Sequence, residues 1–209
     1  MQTKERILKG AEELFFRFGI RGATMDDIAK HMGMSKKTIY QFYKDKDDVV
    51  HQFMHQMLKE NEQIFSAIHN QTKNIIDEVF SYMKQMQVMF SSINPSMFYD
   101  LQKYYPKTWK LFQDFKTDYI LKMVEQSFIK GIKNGDVRSD INIGVLARLR
   151  IEEIELAFNQ KVFPLEKYKL ADVQITMAEH FLYGICTIKG HKLISKRKDA
   201  EITLEINKE

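Results

Sequence analysis

An all-α fold is what the sequence predicts, on three observations. Apolar residues recur at helical spacing almost throughout, few segments alternate as a strand does, and the chain holds only three prolines and nine glycines. Turn-forming clusters lie at Asn94-Pro95, at Pro106, at Asn134-Gly135-Asp136 and around Pro164. Between them helices are expected near 72–91, 95–104, 106–133, 142–160 and 168–188.

The N-terminal elements can be justified one by one. In the first helix Ile7, Leu8, Ala11, Leu14, Phe15 and Phe18 follow the helical rhythm, with Thr3 as candidate N-cap and Gly19 as the stop. Its apolar face must be covered. Thr24 suits the N-cap of a second helix, MDDIAKHM, whose Asp26 and Asp27 fall in the first turn, where the helix dipole favours negative charge. Gly33 ends that helix, and Ser35 caps a third, KKTIYQFY, which is expected to stop near Lys44 to Asp47. A long fourth helix then carries Val49, Val50, Phe53, Met54, Met57 and Leu58. The charged tail after Gly190 is expected to fray.

With 209 residues, 44% of them hydrophobic and 12% aromatic, the chain has ample material for a packed core. The single cysteine, Cys186, excludes an internal disulfide framework and fits a reducing compartment. The first nineteen residues alternate charged and apolar types, unlike a signal peptide, and no run approaches the roughly 18 apolar residues of a membrane-spanning helix. A cytoplasmic protein is therefore expected. Charge separates the chain into two parts: residues 1–46 hold ten Lys/Arg against six Asp/Glu, whereas residues 47–209 hold twenty-two of each. The whole surplus of +4 thus sits in the first 46 residues, the footprint expected of a segment that meets a polyanion.

The stretch ATMDDIAKHMGMSKKTIYQFY gives that footprint a shape. Two helices that cross steeply over a short turn need a small side chain at their contact and favour glycine in the turn, and Ala29 and Gly33 supply both. Ile28, Met32, Met34 and Ile39, with Leu14, Phe15 and Phe18 of the first helix, are expected to form the small core. Lys36, Lys37, Tyr40, Gln41 and Lys44 then share one outward polar stripe, and a helix fits the DNA major groove. Lys36 and Lys37 can donate to guanine O6 and N7 or to phosphate, Gln41 can pair with adenine, and Thr38 can touch a thymine methyl or a phosphate. Tyr40, Thr24 and Lys46 suit phosphate oxygens. The bland reading is a solvated helix face; the register of cap, small residue, glycine, cap, paired lysines and inner isoleucine argues against it.

Residues 6–50 resemble the N-terminal domain of TetR-family transcriptional regulators, through FFRFGIRGATMDDIAKHMGMSKKTIYQFYKDKDDVV. The resemblance implies a homodimer whose subunits each insert the third helix into double-stranded operator DNA, and a C-terminal helical domain that binds a small-molecule effector. It carries DNA contact over to Thr24, Ser35, Lys36, Lys37, Thr38, Tyr40, Gln41 and Lys46. Two places depart from the family pattern: Phe42 stands where His or Tyr is frequent, and Met25-Asp26 replaces neighbours friendlier to DNA.

Two domains are expected, a helix-turn-helix DNA-binding domain over 1–46 and a helical effector-binding and dimerisation domain over 47–209. The aromatic run FYDLQKYYPKTWKLFQDFKTDY offers Tyr104, Trp109, Phe112 and Phe115 as a pocket wall, or else as plain core. Two later helices, one with Ile143, Leu146, Ile151, Ile154, Leu156 and Phe158 and one with Val173, Ile175, Ala178, Phe181, Leu182 and Ile185, carry apolar residues on more than one face. That permits a symmetric partner, and the resemblance favours a four-helix dimer interface. His51 and His55 are one helical turn apart, but Gln52 stands where the metalloprotease motif needs glutamate, so surface histidines and no metal are expected. No phosphate loop, nucleophile elbow or Cys/His pairing appears, so neither an enzyme nor a cofactor is expected. The expected function is a sequence-specific DNA-binding regulator, a repressor released by a small apolar or aromatic effector; the alternative is a helical ligand-binding or protein-interaction module that does not bind DNA.

Overall fold

A computed structural model describes residues 3–94, 96–164 and 166–206. Its helices are α1 (Thr3–Gly22), α2 (Met25–His31), α3 (Lys36–Tyr40), α4 (Lys46–Gln71), α5 (Ile75–Ser92), α6 (Ser96–Tyr104), α7 (Pro106–Phe115), α8 (Leu121–Lys133), α9 (Ile143–Leu156), α10 (Leu170–Ile185) and α11 (Ile188–Ile206). A π-helical turn, Lys116–Ile120, joins α7 to α8, so the run expected over 106–133 is one helix with a single widened turn. No strand occurs among the described residues; an isolated bridge pairs Val137 with Cys186. The fold class is therefore the one the sequence predicts.

Four expectations need correction. The third helix ends at Tyr40 instead of near Lys44, because Asp45 captures the chain for the next one: its Oδ1 accepts the Asp48 amide at 2.8 Å and its carbonyl accepts Val49. Phe18, expected in the core, is 49% exposed. Gly19, at φ 76°, turns the chain so that Ile20, fully buried, takes the inward place. Thr3 lies within α1 instead of capping it, and any cap before it falls outside the described residues, as do Pro95 and the last three residues of the tail. The tail is helical as α11 through Ile206, anchored by buried Gly190 and Ile194.

The chain forms two compact units, residues 1–63 with 88–117, and residues 64–87 with 118–209. In the first, Ile7, Phe15, Ile28, Ile39, Val49, Val50 and Met54 are buried together, with Phe53 edge-on to Phe15 and Phe16 at 5.5 and 5.8 Å. Tyr43, 1% exposed, donates to the Lys4 carbonyl at 2.9 Å; burial, helped by Asp48, pushes its phenol up to about 12. The start of α6 docks where α1 breaks: the Asn94 amide donates to the Phe16 carbonyl at 2.7 Å, and buried Asp100 accepts the Arg21 amide at 3.1 Å. A Cβ on Gly19 would stand 2.6 Å from Ser96 Oγ, so the contact needs glycine for space as well as for φ. In the second unit Phe128 stacks on Phe181 at 5.7 Å, and Gln174, buried on α10, donates to the Ile154 carbonyl at 2.9 Å.

Candidate nucleic-acid interface

The site is built from caps. Thr24 and Asp27 form a reciprocal capping box: Thr24 Oγ1 accepts the Asp27 amide at 3.1 Å, while Asp27 Oδ2 accepts the Thr24 amide at 2.9 Å and its hydroxyl at 2.6 Å. Those bonds from Thr24 hold the Asp27 carboxyl below the usual range. At the other end of α2 the Gly33 amide reaches the Lys30 carbonyl and the Met34 amide the Ala29 carbonyl, the paired closure of a Schellman motif. Gly33 sits at φ 62° with nothing within 4 Å of where a Cβ would lie, so its backbone and not its size is what the turn requires. Ser35 Oγ then accepts the Thr38 amide at 3.0 Å and lies 2.8 Å from Thr38 Oγ1. Gly10 completes the arrangement from below, because a side chain there would collide with the Met32 thioether.

Over this frame the polar stripe faces outward. Ile39 is buried while Lys36, Lys37, Tyr40 and Gln41 are exposed and Thr38 is half-buried. Met32 and Met34 are half-buried instead of fully enclosed. Gln41 serves as the C-cap position of α3, and Phe42, 37% exposed, follows it. Of the candidate phosphate ligands, Lys37 and Tyr40 are exposed, whereas Thr24 and Ser35 already serve as caps. Lys46, the first residue of α4, is half-buried; burial lowers its amine below the usual lysine range, partly offset by the nearby charge of Asp100.

Two features escaped sequence reasoning. Lys36 Nζ is 3.0 Å from Asp26 Oδ1, and that hydrogen bond raises the amine above its usual value. Arg21 spreads over the Tyr104 ring, 4.4 Å from its centroid, and donates to its hydroxyl at 3.1 Å. Asp26 belongs to α2 and Lys36 to α3, so only the angle between two helices joins them. The Arg21 contact spans 83 positions of sequence.

The proposed pocket aromatics divide. Trp109 and Phe112 pack at 5.0 Å, with Phe98 edge-on to Phe112 at 5.8 Å, and Phe115 is half-buried. Tyr104 lies apart from them, 40% exposed on Arg21. His51 Nδ1 lies 3.3 Å from Thr108 Oγ1 and His55 is exposed; no group of three metal-binding side chains assembles among the described residues. Nor, among them, is any helix long and apolar enough to cross a membrane.

Residues 7–53 match the family described as bacterial regulatory proteins, tetR family. The helix-turn-helix-type transcriptional regulator YvaF of Bacillus subtilis is 30% identical over 87 residues, 41% of this chain and 46% of that protein; the chain thus spans about half the length of that relative. Two solved structures share the fold across nearly the whole chain. A TetR-family regulator from Agrobacterium tumefaciens superposes with a TM-score of 0.72 at 15% identity, over 88% of this chain and 97% of that one. FadR of Bacillus subtilis, solved in complex with stearoyl-CoA, superposes with a TM-score of 0.64 at 14% identity, over 87% and 98%. Capped helices, glycine turn and outward lysines thus fall within the segment, residues 7–53, that matches the family of bacterial regulatory proteins, tetR family.

Proposed function

We propose that the protein is a sequence-specific, DNA-binding transcriptional regulator, a repressor acting in the cytoplasm as a homodimer and released from its operator by a small apolar or aromatic effector. The observation that carries this reading is the single face of α3 and its C-cap, where Lys36, Lys37, Tyr40 and Gln41 are exposed while Ile39 is buried beneath them. A buried isoleucine fixes which side of so short a helix points outward, and a major groove accepts a helix presented in this way. Lys36 and Gln41 are assigned to base edges; Lys37, Thr38, Tyr40, Thr24, Ser35 and Lys46 are assigned to phosphates.

Residues 1–46 are assigned to DNA and 47–209 to effector and partner. A partner surface is supported by α9, which exposes Val145 (59%), Leu149 (49%) and Leu156 (40%) at offsets of four and seven residues, a stripe that self-association would cover. The effector would shift the population toward a dimer whose recognition helices no longer match half-sites one DNA turn, about 34 Å, apart. That FadR of Bacillus subtilis was solved in complex with stearoyl-CoA supports a small-molecule effector for this chain. The experiment is a footprint of the purified protein on the DNA upstream of its own gene, with and without small aromatic compounds. Two protected half-sites about one turn apart, lost with an effector, are expected; protection indifferent to sequence would overturn the reading.

A further inference from the structure

Within the unit formed by residues 1–63 and 88–117, cations and aromatic rings interleave on the surface. Arg21, at the end of α1, lies 4.4 Å over the Tyr104 ring and donates to its hydroxyl at 3.1 Å. Lys103 Nζ stands 5.3 Å from the ring centroids of both Tyr99 and Tyr104 and donates to the Tyr99 hydroxyl at 2.9 Å. Hydrogen bonds to Tyr99 and Tyr104 raise the Lys103 amine above the usual lysine range, so its charge is complete at neutral pH. All four side chains are exposed.

The bland reading is a clasp that ties α1 to α6, and it leaves two things unexplained. A clasp needs one cation on one ring, whereas two like charges gather on Tyr104 and neither forms an ion pair among the described residues. The acid of α6, Asp100, is buried and accepts the Arg21 backbone amide instead. Each phenol, moreover, already receives a hydrogen bond from a cation, so its own O–H must donate elsewhere, and no acceptor for it occurs among the described residues. Guanidinium, ammonium and two phenol O–H groups thus share one exposed patch as donors, the complement of an anion.

We propose that Arg21, Lys103, Tyr104 and Tyr99 form a second phosphate-binding surface for duplex DNA, outside the helix-turn-helix, that grips the backbone without reading bases. It rests on the DNA-binding reading and extends it from α3 to α6. Continuity with the residues assigned to DNA selects duplex phosphate as the occupant. Arg21 precedes the Thr24 cap by three residues, and Lys46, itself assigned to phosphate, feels the charges of both Arg21 and Asp27 of the capping box. The capping box, Lys46 and Arg21 are therefore neighbours, and Tyr104 links Arg21 to Lys103. Rings beneath the two cations hold them in place, which lowers the ordering cost of a phosphate contact. Contacts of this kind fix a duplex in position and carry no sequence information.

The test is fluorescence anisotropy of the full-length protein with a random-sequence duplex between about 50 and 200 mM salt. Arg21→Ala and Lys103→Ala should each lower the slope of log K against log salt by about 0.9, and the double variant by about twice that. Arg21→Lys should restore the slope, because it keeps the charge. Tyr104→Phe and Tyr99→Phe keep the rings, remove one O–H donor each, and should weaken binding about two- to fivefold at unchanged slope. In every variant the base preference selected from a randomised site should stay that of the wild type. Should Arg21→Ala fail to fold, Lys103→Gln, on an exposed position of α6, carries the slope test alone. Wild-type slopes in the alanine variants, a slope that Arg21→Lys fails to restore, unchanged affinity in both phenylalanine variants, or a shifted base preference each overturns the proposal; the last would mean that Arg21 acts through the helix pair. A wild type that binds no duplex sinks the DNA-binding reading itself, whereas a wild type that binds in a salt-dependent way, with variants that match it, sinks this surface alone.

Discussion

Replacing Asp26 with asparagine removes the carboxylate that holds Lys36 at 3.0 Å, on a face otherwise arranged for a polyanion. Both side chains are about half exposed, at 48% and 58%, so solvent and salt screen the pair and its rupture is easy. Two effects then act in one direction. Lys36 becomes free to neutralise one further phosphate, which steepens the slope of log K against log salt by about 0.9, and a negative charge that repels the backbone is gone. At about 50 mM salt the expected result is a two- to fivefold tighter grip on random duplex, fading toward 200 mM. Affinity for the operator should rise less than this, because a lysine held by Asp26 is aimed at one place and a freed lysine is not, so the ratio of operator to random binding falls. Fluorescence anisotropy with one random and one operator duplex, across that salt range, measures both. The reasoning is refuted if Asp26→Asn leaves slope and affinity unchanged, or if the steeper slope persists at full size when Lys36 is also alanine, since that part of the effect must pass through the Lys36 amine.

Lys46→Ala should weaken binding to every sequence and lower the salt slope by about one, read by the same titrations; Gln41→Ala should instead change preference at one base position, read by selection from a randomised site. Gly33→Ala places a Cβ at φ 62° and should cost about 1 kcal/mol, a fall of roughly 2–4 °C in Tm by calorimetry, although no neighbour is touched. Tyr43 has its phenol raised to about 12 in the fold, above the ordinary value of 10, so the stability it contributes is complete below pH 10 and is lost as pH rises toward 12. Tyr43→Phe should therefore remove roughly 2–3 kcal/mol of alkaline destabilisation between those limits, seen as a flatter urea midpoint against pH.

What was legible in the sequence was local. Thr24, Gly33 and Ser35 announce their caps because a cap is made within four residues, and Ile39 announces its burial because a one-sided helix needs a floor. The end of α3 was misplaced because Phe42 and Tyr43 continue the helical rhythm, while the stop comes from Asp45 bonding forward into α4. The pair of Asp26 and Lys36 had no signature, since neither residue type is unusual where it stands and the crossing angle alone joins them. Tyr104 was grouped with Trp109 by proximity in the chain, yet Pro106 opens a new helix between them and sends the two rings to different neighbours.

Gly19 gives the first unit a joint with no padding. With no side chain to separate them, the backbone at the end of α1 rests directly on Ser96 and Asp100, and the amide of Arg21 is tethered to a carboxylate of α6. Three residues further on comes Thr24, whose hydroxyl caps α2. On the proposed DNA-binding reading, a displacement along Ser96–Tyr104 would reach the α2–α3 pair through this contact, and a bulkier residue at position 19 would weaken that coupling even where every proposed DNA-facing group stayed in place.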